Sequence, residues 1–114
     1  MDIKPIEWKN NSLFVLDQRF LPFEIKYEEC KSYIDIYYAI KDMKTRGAPV
    51  IGVTAAYGFY LGIKDLYEKG EINDYKKVTE KLLSSRPTAV NLMWAINRME
   101  KKFIENFQKE NILE

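Results

Sequence analysis

Two hydrophobic periods divide the chain. Over residues 3 to 29 apolar side chains come in short runs: Ile6-Glu7-Trp8, then Leu13-Phe14-Val15-Leu16, then the alternating Phe23-Glu24-Ile25-Lys26-Tyr27. Alternation with period two is the mark of a half-buried strand. Asn10-Asn11 sits between the first two runs, and Asn tolerates the left-handed backbone that a tight hairpin demands. Pro22 separates the second run from the third. The pattern predicts a three-stranded antiparallel sheet with one face against helices.

From Ser32 the period lengthens. Tyr33, Ile36, Ile40 and Met43 recur at spacings of 3, 4 and 3, which is one face of a helix with Ser32 as its N-cap. A second helix is predicted from Pro49 to about Leu66, with no polar face over its first four turns, so something must cover it on several sides. Lys69-Gly70-Glu71 breaks the pattern, and a third helix is expected from about Asn73 or Asp74 on a stripe of Tyr75, Val78 and Leu82. The fourth is expected from about Thr88 to Gln108, on Leu92, Ile96, Met99, Phe103 and Phe107. The predicted class is α+β: a small three-stranded sheet (1–29) followed by a four-helix, bundle-like part (30–114), together one domain.

Composition adds exclusions. With 114 residues, 46% of them hydrophobic, the chain can bury one core. A formal net charge of +1 gives no electrostatic reason to expect nucleic acid or an anionic membrane as partner. The uncharged run from Gly47 to Ile63 is shorter than the roughly 20 residues a membrane span needs. No apolar segment of signal-peptide type opens the chain, and its one cysteine, Cys30, cannot form an internal disulfide. Both point to a reducing cytoplasm. There is no histidine, so the commonest general base and metal ligand are missing. No cofactor or metal is expected, and Asp17 and Asp42 read as solvated carboxylates.

The candidate chemistry lies at two Arg-containing corners. In Arg46-Gly47-Ala48-Pro49, Gly47 permits close backbone approach and Pro49 suits the first helical turn. The N–H groups of Gly47 and Ala48 would then face an anion at the positive end of the helix dipole, with Arg46 beside them. Ser85-Arg86-Pro87-Thr88 is expected to open the fourth helix in the same way. Arginine at a helix start is unfavourable without an anion, so the pair points to a phosphate-bearing ligand. Asn91, one turn further on, could face the same site. The first corner also fits a plain connector, Gly ending one helix and Pro starting the next, and the second fits a plain capped helix start. Gly58-x-x-x-Gly62 fits close helix packing, and Tyr37, Tyr38, Tyr57 and Tyr60 fit the edge of a core.

The stretch Arg46-Gly47-Ala48-Pro49-Val50-Ile51-Gly52-Val53-Thr54-Ala55-Ala56-Tyr57-Gly58 closely resembles the RGAPAIGxAAAYG segment of methylthioribose-1-phosphate isomerases. Ser85-Arg86-Pro87-Thr88-Ala89-Val90-Asn91-Leu92 resembles their [AS]RPTAVNL segment, and Ile6-Glu7-Trp8, Leu16-Asp17-Gln18 and Leu21-Pro22 resemble their opening. The likeness spans essentially the whole sequence. These enzymes group with the regulatory subunits of translation initiation factor 2B and with ribose-1,5-bisphosphate isomerases.

The resemblance implies conversion of 5-methylthioribose 1-phosphate to 5-methylthioribulose 1-phosphate in methionine salvage. The substrate would be gripped by Arg46, Gly47, Ala48 and Arg86. It also implies a homodimer in the full-length protein, and a catalytic cysteine and aspartate in a Rossmann-like second domain lying beyond residue 114. Cys30 is not that cysteine, so no catalytic residue is expected here and the 114 residues alone are expected to be inactive. A regulatory module of the initiation-factor type, binding a sugar phosphate or nucleotide, is the alternative, and a purely structural domain is a third.

Overall fold

The computed structural model describes residues 4–20, 23–42 and 48–108. Strands β1 (Ile6–Lys9), β2 (Ser12–Leu16) and β3 (Tyr27–Cys30) form an antiparallel sheet in the order β1-β2-β3. Asn10 and Asn11 make the first hairpin turn, with φ of 54° and 61°. Both central residues are left-handed, the geometry that lets a two-residue loop follow the strand twist. Ile6 pairs with Val15, Trp8 with Leu13, and Leu13 with Cys30. The central strand is the best buried, with Leu13 and Val15 fully enclosed.

The third strand lies later than the alternation predicted. Phe23 and Ile25 are 95% and 48% exposed, and pairing begins only at Tyr27. The reason is local. The chain turns through a short 3₁₀ segment at Gln18–Phe20, and the amides of Phe23 and Glu24 both donate to the Phe20 carbonyl at 3.0 Å. Amides committed to a turn are not available to a ladder.

Asp17, expected to be solvated, is instead 4% exposed. Its carboxylate accepts the Arg19 backbone N–H at 3.1 Å, Nε at 2.9 Å and a terminal nitrogen at 2.7 Å. Charge-assisted bonds offset the desolvation of that carboxylate. The bond to Asp17 also raises the Arg19 pKa above its ordinary value. Asp42 is exposed, as expected.

Four helices follow: α1 (Tyr33–Lys41), α2 (Ala48–Glu68), α3 (Tyr75–Leu83) and α4 (Val90–Gln108). Ser32 caps α1, its hydroxyl accepting from the Asp35 N–H at 3.3 Å. The C-terminus of α2 closes on Gly70 at φ +73°: the Gly70 N–H donates to Tyr67 and the Glu71 N–H to Leu66. This is the paired 5→2 and 6→1 arrangement of a Schellman cap.

Helix α2 is the axis of the domain. Gly58 lies against Ile36 and Leu82, and Gly62 against Tyr33 and Val78, so α1 and α3 run antiparallel to it. Gly52 lies against Asn91 and Ala95, and Phe59 meets Phe103 at 6.1 Å between ring centroids, so α4 runs parallel to it. The sheet reaches α2 through Trp8, stacked on Tyr57 at 5.1 Å with Tyr60 edge-on at 5.9 Å. Three helices and a hairpin thus cover most of the apolar helix. Val53, Tyr60 and Tyr67 stay exposed.

Thr54, on α2, is fully buried, and its hydroxyl has no hydrogen-bond partner among the described residues. An orphaned hydroxyl costs its desolvation and returns nothing. Thr54→Val, nearly isosteric, is therefore expected to raise stability by about 1 kcal/mol in urea unfolding. A loss instead would mean that the hydroxyl has a partner, such as a buried water.

Candidate functional site

Because α2 and α4 are parallel neighbours, their N-termini lie at one end of the domain. Each start leaves backbone N–H groups without an intrahelical acceptor and adds the positive end of a dipole. At α4 the Ala89 carbonyl accepts from Met93 at 3.2 Å, which makes Ala89 the cap residue. Alanine has no side-chain oxygen to offer the first-turn amides.

The second Arg corner is placed differently from expectation. Pro87 does not open α4. It follows Arg86 in a turn closed by the Ala89 N–H on the Arg86 carbonyl at 2.9 Å, and the helix begins at Val90. Proline's fixed φ suits the second position of such a turn. Upstream, α3 is finished by two serines: Ser84 Oγ donates to Lys81 and Ser85 Oγ to Leu82, each at 2.6 Å. Ser85 is buried, so the half-buried Arg86 departs from a fixed point.

Ala48 is the first residue of α2. Arg46 and Gly47 lie outside the described residues, as does Met43 of the predicted α1 stripe. The structure therefore brings together the beginnings of α2 and α4.

Between α2 and α4 runs a groove of about 710 Å³ that starts at Pro49 and Asn91. Its walls are Gly52, Val53 and Ala56 on one side and Trp94, Ala95 and Met99 on the other. Arg98 also borders it, its guanidinium 5.2 Å from the centre of the Trp94 ring. Among the described residues no carboxylate lines it. Past Val53, Ala56 and Met99 a second hollow of about 490 Å³ continues to Trp8, Tyr57 and Tyr60. These volumes fall in the range of small-molecule sites.

Asn91 lines this groove. Arg86 is not part of its wall. The sequence reading missed Val53, Trp94, Arg98 and Met99 as groove residues. The available signal was a second apolar stripe on α4, Val90, Met93 and Trp94, displaced from the core-facing Leu92, Ile96 and Phe103. Trp94 is 62% exposed and Val90 70%. Among the described residues no cluster of His, Cys, Asp or Glu could hold a metal ion, and no helix is long and apolar enough to cross a membrane.

Fold and groove define an α+β domain with a ligand-sized cleft beginning at paired helix starts. Residues 44–113 match the model of the Initiation factor 2 subunit family, and the chain belongs to that family. It is 54% identical over 112 residues to the methylthioribose-1-phosphate isomerase of Thermotoga maritima, covering 97% of this chain and 32% of that protein. It is 51% identical over 105 residues to the 5-deoxyribose 1-phosphate isomerase of Bacillus thuringiensis, covering 90% of this chain and 30% of that protein. The crystal structure of the 5-methylthioribose 1-phosphate isomerase of Pyrococcus horikoshii superposes with a TM-score of 0.81 at 38% identity, over 90% of this chain and 30% of that one. The chain thus spans about a third of the length of these relatives.

Proposed function

We propose that this chain is the substrate-gripping part of an aldose–ketose isomerase that converts 5-methylthioribose 1-phosphate to 5-methylthioribulose 1-phosphate. Arg46 and Arg86 bind the phosphate and neighbouring hydroxyls, and the N–H groups of Gly47 and Ala48 complete the cradle. The observation that supports this most is the parallel pairing of α2 and α4, which sets two positive helix ends side by side. The relatives that carry the isomerase name are about three times as long. We assign ring opening and the movement of hydrogen between C1 and C2 to residues outside these 114. On this reading the 114-residue chain alone turns over nothing.

The experiment is a chimera in which this chain replaces the matching third of the Thermotoga maritima isomerase. The expected result is isomerase turnover from the chimera and none from the chain alone. Arg86→Ala in the chimera is expected to lower kcat/KM by about 10–100-fold, the value of one charge-assisted phosphate contact. Full activity of that variant would remove Arg86 from the site.

The matched family is named for initiation factor 2 subunits, and the second reading is a regulatory module that binds a sugar phosphate or nucleotide without chemistry. A folded chimera that binds the substrate but never isomerises it would support that reading instead.

A further inference from the structure

We propose that residues 23–27 are half of an intermolecular ladder: a second copy of this chain adds its own 23–27, antiparallel, at the free edge beside β3. The contact uses neither the Arg corners nor the α2/α4 groove.

Phe23-Glu24-Ile25-Lys26-Tyr27 has the period-two pattern of a half-buried strand, yet nothing described in this molecule covers its apolar side. Phe23 is 95% exposed, Ile25 48% and Tyr27 39%. Phe20, itself partly exposed, extends the patch, with the Lys26 ammonium 4.7 Å from its ring. Exposed apolar side chains along a sheet edge mark a surface that takes a partner.

The backbone is set for pairing. The Lys26 carbonyl accepts the Asp17 N–H at 2.7 Å, and the ladder with β2 runs on from Tyr27 to Cys30. Backbone groups alternate in direction along an antiparallel strand. Those of Lys26 point to β2, so those of Ile25 and Tyr27 point outward, to an edge that no strand occupies among the described residues. The Phe23 N–H is given to Phe20, so Phe23 offers only its carbonyl.

The side chains select a second copy. The order apolar, acidic, apolar, basic, apolar is its own complement when reversed. A two-fold axis through Ile25 sets Ile25 opposite its copy and Phe23 opposite the partner's Tyr27 on one face. On the other face it sets Glu24 opposite the partner's Lys26, and Lys26 opposite the partner's Glu24. Ile25 exchanges both backbone bonds with its copy, and the Tyr27 N–H donates to the partner's Phe23 carbonyl. With the axis at Tyr27 instead, Ile25 would meet the partner's Glu29 and the apolar face would be broken. A lysine on an edge ordinarily discourages pairing. Here the opposing glutamate answers it, and a formal net charge of +1 adds little repulsion between copies. So short a ladder makes a small contact, and the dimer is weak, with Kd on the order of 100 µM.

The test is sedimentation equilibrium of the 114-residue chain from about 10 µM to about 1 mM, with NMR over the same range. The expected result is monomer at the low end and dimer at the high end, with amide shifts centred on Ile25 and Tyr27. The α protons of Glu24 and Lys26 face each other as a non-hydrogen-bonded pair and should give an intermolecular NOE. Glu24→Lys sets like charges opposite each other at both symmetric positions and is expected to weaken the dimer about 10-fold. Lys26→Glu alone, which moves the net charge the other way, should weaken it similarly. The two together restore opposite signs, the original net charge and the original affinity. Both side chains are exposed, and unchanged urea midpoints in dilute solution check that each variant folds. A chain that stays monomeric throughout overturns the proposal. So does a dimer that ignores the single swaps or is not rescued by the double one.

Discussion

Phe59→Ala is expected to remove about 3–5 kcal/mol of folding stability, as read from urea unfolding. Domains of this size have a total of roughly 5–15 kcal/mol, so the variant should sit near the edge of folding. Phe59 is 2% exposed and is the largest of the fully buried side chains. It packs edge-on against Phe103 of α4, which in turn meets Tyr75 at the start of α3 at 5.0 Å. Truncation would empty the point where three helices meet, and a rigid helical neighbourhood can collapse only partly into the space. The same contact fixes α4 parallel to α2, so the α2/α4 groove should loosen along with the core. A loss under 1 kcal/mol would mean that the helices close the gap by sliding, and that their pairing is not held from this point.

Gly62→Val makes the opposite error, too much volume, and is expected to cost about 3 kcal/mol. A carbon added at Gly62 would lie 2.5 Å and 2.7 Å from the two Val78 methyl groups and 3.2 Å from the Tyr33 ring. Val78, the nearer neighbour, cannot retreat easily, because it is itself fully buried. The helix-propensity gain on replacing glycine, at most about 1 kcal/mol, is too small to offset the clash. Adding Val78→Ala should restore more than half of the loss, a coupling that identifies the clash as the cause. Gly52 provides the contrast. Its nearest neighbour lies 3.4 Å from where a side chain would begin, so the space there accepts a methyl group. Strictly additive losses in the double variant would place the damage somewhere other than the α2/α3 contact.

The helical part was readable in the sequence because its signals are local. Ser32 caps α1 as its chemistry requires, and Tyr33, Ile36 and Ile40 fall on one buried face. Gly70 ends α2 where the polar break stands. The third strand was misplaced because alternation reports which faces of an extended segment could differ, not whether its amides are free. Those of Phe23 and Glu24 are taken by Phe20. Asp17 was misread because a carboxylate two residues from an arginine looks solvated in a sequence. Here its side chain turns inward and collects three donors from Arg19.

The candidate site was legible only in part. The motif at residues 46–49 and the one at 85–88 could be recognised one by one. That α2 and α4 start at the same end depends on long-range contacts, Gly52 with Asn91 and Phe59 with Phe103, which no spacing encodes. Trp94 was missed for the same reason. In the sequence it is one more apolar residue of an amphipathic helix, and only the crossing of two helices puts it on a wall.

Cys30 closes the central sheet from its third strand, fully enclosed and opposite Leu13. As the chain's one thiol, it gives the protein an internal clock for its own opening. A thiol reagent can reach the sulfur only when the sheet parts, so the modification rate follows the population of opened molecules wherever reclosing outruns the reagent. A defect deep among the helices would then be timed from the opposite layer, and the two layers would keep the same time only if they come apart together.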